Sequence, residues 1–441
     1  MKFQKSKKIY KKTSNFLAGP STFSKGLDLF LNDISPYAIK KSKDCFAYDV
    51  DGNKYIDNIM SLGAVIIGHA NKEINKEVMK QLNKGTLYSL ASELEGELAE
   101  MLCERIPSAE VVRFGKNGND ATTAAIRLSR HYTNKDHILF CGYHAWQDWY
   151  ICKTSMDKGI PKEVSKYSHR FIYNDIESLL RLFDKYKNKV ACVMMERTSK
   201  EEPYCKKLCS LCKSEGKKSC KGFLNQVQKI THKNNALLVF DEIVTGFRVD
   251  KGGYQKIAGI KPDLSCFSKA MANGFPISAL VGSKKVMSKS QEIFYSLTFG
   301  GENLSLAASI ATLKFIDKYK VCENIRDNGN FVIDKINQKI KNLSLENYIF
   351  LNGYPGKTIF NFINQQDSNA EMMRIFWISK LIQSGILNNG YQILSYSHNK
   401  EIITKIVSCY EKVLEEIKHK LSKGQFSKKN YKLRLNPDIR K

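Results

Sequence analysis

The arrangement of apolar and polar positions changes character along the chain. Residues 45–70, CFAYDVDGNKYIDNIMSLGAVIIGHA, alternate on either side of DVDGN, where Asp51-Gly52 supplies the positive φ angles of a tight turn; they predict a β-hairpin. Residues 70–85 and 92–106 space their apolar side chains at three and four and predict helices. From about residue 110 short apolar runs take over: EVVRFG (110–115), HILFCG (137–142), ACVMMER (191–197), ALLVFDE (236–242), LSCFS (264–268) and SALVG (278–282). Helical stretches such as 120–132 and 223–233 separate several of them. This alternation predicts an α/β fold with a mostly parallel central sheet covered on both faces. Beyond 305 come long helices at 304–320 and 331–343, then a mixed region ending in a helix over 399–422. Residues 423–441 read as a basic, loosely ordered tail.

With 441 residues the chain is long enough for two or three domains' worth of core, and one large α/β unit with a smaller satellite also fits. No run approaches the ~18 consecutive apolar residues of a membrane span, and NFLAG near the N-terminus is too short for a secretory signal. A cytoplasmic protein with no membrane partner is expected. The 70 Lys and Arg outnumber the 44 Asp and Glu, for a net charge of +26. Such a balance suits nucleic acid or anionic substrates. However, the lysines are scattered almost everywhere, with extra density at 2–12, 206–221 and 423–433, and no nucleic-acid motif is recognisable. A solvated Lys-rich surface is the simpler reading. Twelve cysteines in such a chain predict thiols rather than a disulfide framework. Cys141, Cys192 and Cys266 fall inside apolar runs as core filler.

The run Ala236–Phe240 reads as a strand buried on both faces, yet Asp241 and Glu242 follow it with no polar lead-in. A carboxylate at the end of a buried strand is costly unless a cation meets it. The next strand-like run ends at Ser268-Lys269. Ligands of open α/β sheets bind at the carboxyl ends of the strands, so a carboxylate and an amine arrive at one binding edge. A structural Asp–Lys ion pair is the plain alternative. The chemical reading is pyridoxal 5'-phosphate, which a lysine holds at C4' as a Schiff base while a carboxylate keeps the ring nitrogen protonated. Lys269 and Asp241 fit those roles. A phosphate site is then expected in RFGKNGNDATTAAIRLSR (113–130), where a strand ends at Phe114 and a helix starts near Asn119-Asp120. Tyr143 and His144, just past a strand end, are placed to lie over a flat ring. Ile243 shares Asp241's side of its strand and can pack on the opposite ring face.

Together these motifs resemble the class III aminotransferases, within fold type I of the pyridoxal-phosphate enzymes, and among them the aminomutase type that acts on glutamate-1-semialdehyde. The residues that carry the resemblance are DEIVTGFR (241–248), SKAMANGFP (268–276), the turn NGNDA (117–121), YHA (143–145) and YSLTFGGENLSLAAS (295–309), over about residues 20–420. It implies a homodimer with its sites at the subunit interface. It also implies a large cofactor-binding domain over 76–315, and a smaller α+β domain formed by both chain ends, 1–75 and 316–422. By the same resemblance Lys269 forms the internal aldimine and then moves protons as a base, and Asp241 holds the pyridinium. Gly118, Asn119, Asp120 and Thr298 belong to the phosphate site, Thr298 reaching the neighbouring subunit's cofactor. Tyr143 stacks on the ring, with His144 beside it, and Glu196 lies near the cofactor. Asn119 for Ser, Ala145 for Gly and Arg197 for Pro depart from the family pattern.

Within 200–222 sits an insertion with the spacing C-x3-C-x2-C-x7-C: Cys205, Cys209, Cys212 and Cys220. Four thiolates in a short Lys-containing loop suit a closed zinc site, and exposed reduced thiols are the alternative. The expected reaction is transfer of an amino group from a small-molecule donor to a carbonyl-bearing metabolite. An intramolecular aminomutase is the second reading. A non-catalytic basic binding protein on the same fold is the third, disfavoured by the presence of both Lys269 and Asp241.

Overall fold

The computed structural model describes residues 3–22, 35–197, 203, 222–366 and 368–426. In chain order it contains α1 (Gln4–Thr13), β1 (Ile39–Lys43), β2 (Phe46–Asp49), β3 (Lys54–Asp57), α2 (Lys72–Leu82), α3 (Glu93–Arg105), β4 (Val111–Gly115) and α4 (Gly118–Thr133). There follow β5 (His137–Cys141), β6 (Ser168–Arg170), β7 (Val190–Glu196), β8 (Leu237–Asp241), β9 (Leu264–Phe267) and β10 (Ser278–Gly282), then β11 (Ile349–Tyr354), β12 (Lys357–Phe362), β13 (Ile386–Leu387) and β14 (Tyr391–Ile393). Two compact units emerge: one spans Glu73–Cys322, and the other joins the described residues up to Lys72 with those from Glu323 onward.

The 73–322 unit is built on a seven-stranded sheet in the order β4-β10-β9-β8-β7-β5-β6. Strands β9, β8, β7, β5 and β6 are mutually parallel, and β10 runs antiparallel to both β9 and β4. The apolar runs are continuous because successive side chains enter different cores. On one face Cys192 and Met194 of β7 and Val239 of β8 meet Ala121, Ala125 and Leu128 of α4. On the other, Val193, Met195, Leu238 and Phe240 meet Phe223, Val227 and Ile230 of the helix Phe223–Lys233. Alanines on α4 bring that helix close to the sheet. Cys141, Cys192 and Cys266 are buried free thiols, in keeping with core filler. Strand β6 was not expected; the three residues Ser-His-Arg carry no apolar pattern.

In the second unit the chain ends interleave. A four-stranded sheet has the order β1-β2-β3-β13, with β13 parallel to β3 through Ile386–Ile56 and Leu387–Asp57. A three-stranded sheet, β11-β12-β14, completes the strands. The Asn58 amide donates to the buried Tyr410 hydroxyl (2.8 Å), and the Tyr410 ring packs on Trp377 and Phe360. The hairpin predicted for 45–70 is shorter than expected: β2 and β3 pair around Gly52 at φ +93°, and strand geometry ends at Asp57. There the Asp57 carboxylate accepts the N–H groups of Ile59 and Met60 (2.9 and 3.0 Å) and turns the chain through four residues of positive φ, Met60 to Gly63.

His398 is fully buried in this unit, with Nδ1 accepting from both the N–H (3.1 Å) and Oγ (2.9 Å) of Ser395. Burial pushes its pKa down to about 4, against a smaller upward pull from Asp57 and the Ser395 backbone, with His69 adding a further downward push. The unfolded chain takes up this proton near pH ~6.5, whereas the folded chain resists it until about 4. Stability therefore falls as pH drops through that window. By pH ~5 the expected loss from this residue is about 2 kcal/mol. Melting temperatures measured at neutral pH and in acid, for wild type and His398→Asn, check this: the variant's melting point should depend less on pH.

Candidate active site

The carboxyl ends of β5, β7, β8 and β9 gather most of the residues singled out from sequence. Register pairs Asp241, the last residue of β8, with Glu196 on β7 and Cys266 on β9. Asp241 is buried. Its Oδ1 accepts the N–H of Ile243 (3.1 Å), and its Oδ2 lies 2.8 Å from Nδ1 of His144. Within the chain, the partner of the buried carboxylate is therefore a histidine.

His144 differs from its expected place over a ring. Its imidazole is buried, stacked on Trp149 and edge-on to Phe140 and Tyr150, with Nε2 3.0 Å from the Cys141 carbonyl. A carbonyl oxygen only accepts, so Nε2 carries a proton. The Nδ1···Oδ2 contact sets the imidazole directly against the carboxylate. The turn that places His144 runs through Gly142 at φ +103° and Ala145 at φ +77°. A Cβ at Gly142 would lie 2.4 Å from Cγ of Glu196, whose Oε1 accepts the N–H of Tyr143 (2.9 Å). Glu196 thereby fixes the backbone that carries Tyr143. The Tyr143 ring is half-buried and meets Tyr150 edge-on.

Ala145 occupies a backbone region that costs an L-residue about 1–2 kcal/mol. Ala145→Gly is expected to stabilise the protein by about 0.5–1 kcal/mol after glycine's own entropy cost, read as a raised denaturation midpoint.

Beyond β4 the turn predicted to bind phosphate opens α4 at Gly118 and Asn119. The first N–H groups of a helix have no acceptor within it and point outward. Asp120 has a different place from that of an anion ligand: its Oδ2 accepts the N–H groups of Lys116 (3.0 Å) and Asn117 (2.7 Å) and so shapes the turn. Gly118 lies close against Ile243: a Cβ there would lie 2.7 Å from Cδ1 of Ile243, whose side chain would have to shift. That contact joins the turn to the segment just past Asp241.

Lys269 follows Ser268 directly past β9 and is half-buried. Its φ of +44° is a strained conformation for a lysine. Such strain persists only where the surroundings hold it, here the Ser268 Oγ bond to the Ile277 carbonyl (2.7 Å) and the turn ending at Asn273. Thr298 is exposed on the loop before the helix Asn303–Lys318, beside the exposed Phe299.

Two features escaped the sequence reading. Lys116 Nζ pairs with Glu302 (2.8 Å), whose carboxylate also caps the helix Asn303–Lys318 through the N–H groups of Leu304 and Ser305. One ion pair thus ties the phosphate turn to the segment following Thr298; the only local signal was the capping pattern Glu-Asn-Leu-Ser. The second is Glu242, buried and receiving the Thr245 hydroxyl and the N–H groups of Tyr254 and Gln255. Burial raises its pKa, opposed by these hydrogen bonds. It organises the loop after β8. Cys205, Cys209, Cys212 and Cys220 lie outside the described residues. Among the described residues, no group of three or more His, Cys, Asp or Glu side chains is placed to hold a metal ion.

A family model described as Aminotransferase class-III matches residues 31–349. Glutamate-1-semialdehyde 2,1-aminomutase of Methanocaldococcus jannaschii is 32% identical over 94% of this chain and 99% of its own length. The enzyme of the same name from Methanobrevibacter smithii is 33% identical over 93% of this chain and 98% of its own. Among solved structures, the FumI protein of Sphingopyxis in its PLP internal aldimine form superposes with a TM-score of 0.83 at 24% identity, covering 95% of this chain and 97% of that one. A transaminase with PLP bound gives 0.82 at 21% identity, over 96% of this chain and 100% of the other. With the sheet, the strand-end carboxylate and lysine, and the full-length relatives in agreement, the chain belongs to the class-III aminotransferases, pyridoxal-phosphate-dependent enzymes of fold type I.

Proposed function

We propose that the protein transfers an amino group from a small amine donor to a carbonyl-bearing small metabolite, with Lys269 and Asp241 as its catalytic residues. The observation that supports this most is their placement at adjoining strand ends, β8 and β9, beside the opening turn of α4. Pyridoxal phosphate, when bound, supplies the electron sink for labile bonds at the substrate's Cα. The donor set suits it. Asp241 offers a buried carboxylate to a protonated ring nitrogen, with the proton held on by charge. The N–H groups of Gly118 and Asn119 and the dipole of α4 suit a phosphate. Tyr143, with its backbone held by Glu196, and Ile243, packed against Gly118, are the ring's neighbours in this reading. Lys269 would hold the cofactor through its amine and, as a neutral amine, would serve as the base that moves the substrate's proton. Thr298, exposed on its loop, would serve a neighbouring subunit's phosphate in a homodimer.

An intramolecular aminomutase is the second reading, favoured by relatives of that name matching nearly end to end. Spectra recorded before and after addition of L-glutamate, and separately of glutamate-1-semialdehyde, decide between them. Loss of the cofactor's visible band with glutamate, with release of a keto acid, supports transamination. Inertness to glutamate together with catalytic conversion of the semialdehyde to its amino isomer supports the mutase. Absence of any visible band after reconstitution with pyridoxal phosphate overturns both.

For the insertion we propose zinc held by Cys205, Cys209, Cys212 and Cys220, on the strength of their spacing alone. About one zinc per chain is expected in freshly purified reduced protein, lost in a Cys209→Ser/Cys212→Ser variant. Metal analysis that finds none removes the proposal.

A further inference from the structure

The positive charge of the chain is not used up by the reaction, and one part of it is organised. Phe3, which caps helix α1, and Ser6, Ile9, Tyr10 and Thr13 within it recur at spacings of three and four, on one side. That side docks on the protein. Asp51 accepts the N–H groups of Lys5 and Ser6 (2.7 and 2.9 Å), Ser6 Oγ accepts from Tyr37 N (3.3 Å), and the Tyr10 and Tyr37 rings meet edge-on at 5.0 Å. The opposite side is left to Lys5, Lys7, Lys8, Lys11 and Lys12, all exposed. Beyond Tyr37 lies β1, an edge strand of its sheet, which exposes Lys40, Lys41 and Lys43. Neither 3–22 nor 35–43 contains a single acid. The carboxylate that comes up to α1, that of Asp51, is spent on capping it.

Apolar side chains also stand in water nearby. Phe16 is 80% exposed and Leu17 55% exposed, immediately past the end of α1, and Ile39 of β1 is exposed as well. A soluble protein gains nothing from a phenylalanine and a leucine side by side in solvent among lysines. A surface that is anionic outside and apolar just beneath satisfies both. We propose that α1 with β1 forms a peripheral docking face for an anionic phospholipid bilayer, the lysines meeting headgroups and Phe16-Leu17 entering the acyl boundary. None of the helices, among the described residues, is long and apolar enough to cross a membrane, so the attachment is to the surface only. A nucleic-acid surface fits less well. Stacking on bases requires open aromatic faces, whereas Tyr10 and Tyr37 are occupied with each other and Tyr48 lies under Lys41. The proposal departs from the expectation of no membrane partner and does not depend on the reaction catalysed.

Co-sedimentation of the full-length, cofactor-loaded protein with vesicles tests it. The vesicles are phosphatidylcholine alone, or phosphatidylcholine with about a third phosphatidylglycerol. Wild type is expected to partition onto the anionic vesicles at least ~10-fold over the neutral ones, with loss at high salt. Lys5→Glu/Lys8→Glu/Lys12→Glu should lower anionic partitioning by roughly 100-fold. Phe16→Ser/Leu17→Ser, which leaves the charge unchanged, should lower it about tenfold. An unchanged visible cofactor spectrum shows that each variant is folded. Equal partitioning onto both vesicle types overturns the proposal, as does indifference to either set of substitutions. Retention on duplex DNA that Phe16→Ser/Leu17→Ser leaves intact, with no vesicle capture, overturns it in favour of a nucleic-acid face.

Discussion

Lys269→Ala is expected to yield a folded protein that binds pyridoxal phosphate only reversibly and turns over at least ~10⁴-fold more slowly. The stability change should be small, because Ala at φ +44° bears the same backbone strain as Lys. Thermal denaturation should therefore place the variant within about 1 kcal/mol of wild type. Borohydride reduction followed by mass measurement is the direct check. Wild type should gain the mass of the reduced cofactor on the peptide containing Lys269, and the variant should gain none. Normal turnover in Lys269→Ala would sink the assignment.

The second large effect is expected at Asp241. An Asn there preserves shape and can still meet His144: the imidazole keeps Nε2–H on the Cys141 carbonyl and accepts at Nδ1 from the new amide. Packing survives, but the negative charge opposite the ring nitrogen is lost. Asp241→Asn should therefore keep the cofactor bound and the fold intact while kcat falls on the order of 10³-fold. Asp241→Glu should also fail despite its charge, because an added methylene beside the buried His144 has nowhere to go. Equal activity of wild type and Asp241→Asn would mean that the carboxylate serves only to hold His144. Single-turnover rates, recorded by the cofactor spectrum, separate lost chemistry from lost binding.

The strand-end residues were legible for a physical reason. Strands buried on both faces stand out as apolar runs, and a charge at the end of one, as at Asp241 or Lys269, has no structural excuse. Local steric signals also carried through, such as Gly118 opening a helix. Features that arise from distant contacts were not legible. His144 and Asp241 are 97 residues apart, and nothing around Tyr143 announces that Gly142 and Ala145 swing the imidazole beneath the carboxylate. Lys116 and Glu302 are 186 apart, each unremarked in its own segment. Strand β6 pairs with β5 through its backbone and through the His137–His169 ring contact, so three polar residues sufficed and left no apolar pattern. The hairpin was overextended because apolar alternation continues through residues 59–67, where the Asp57 carboxylate captures two N–H groups and turns the chain.

The His144–Asp241 contact bears on the order of assembly. A lone carboxylate buried at the end of β8 would make folding wait for a cationic ligand, since an unpaired buried charge costs several kcal/mol. Because the imidazole already supplies a partner, a newly made chain can close this sheet edge first and admit its cofactor afterwards. Folding then need not wait for the cofactor, whose later binding adds stability to a chain already closed.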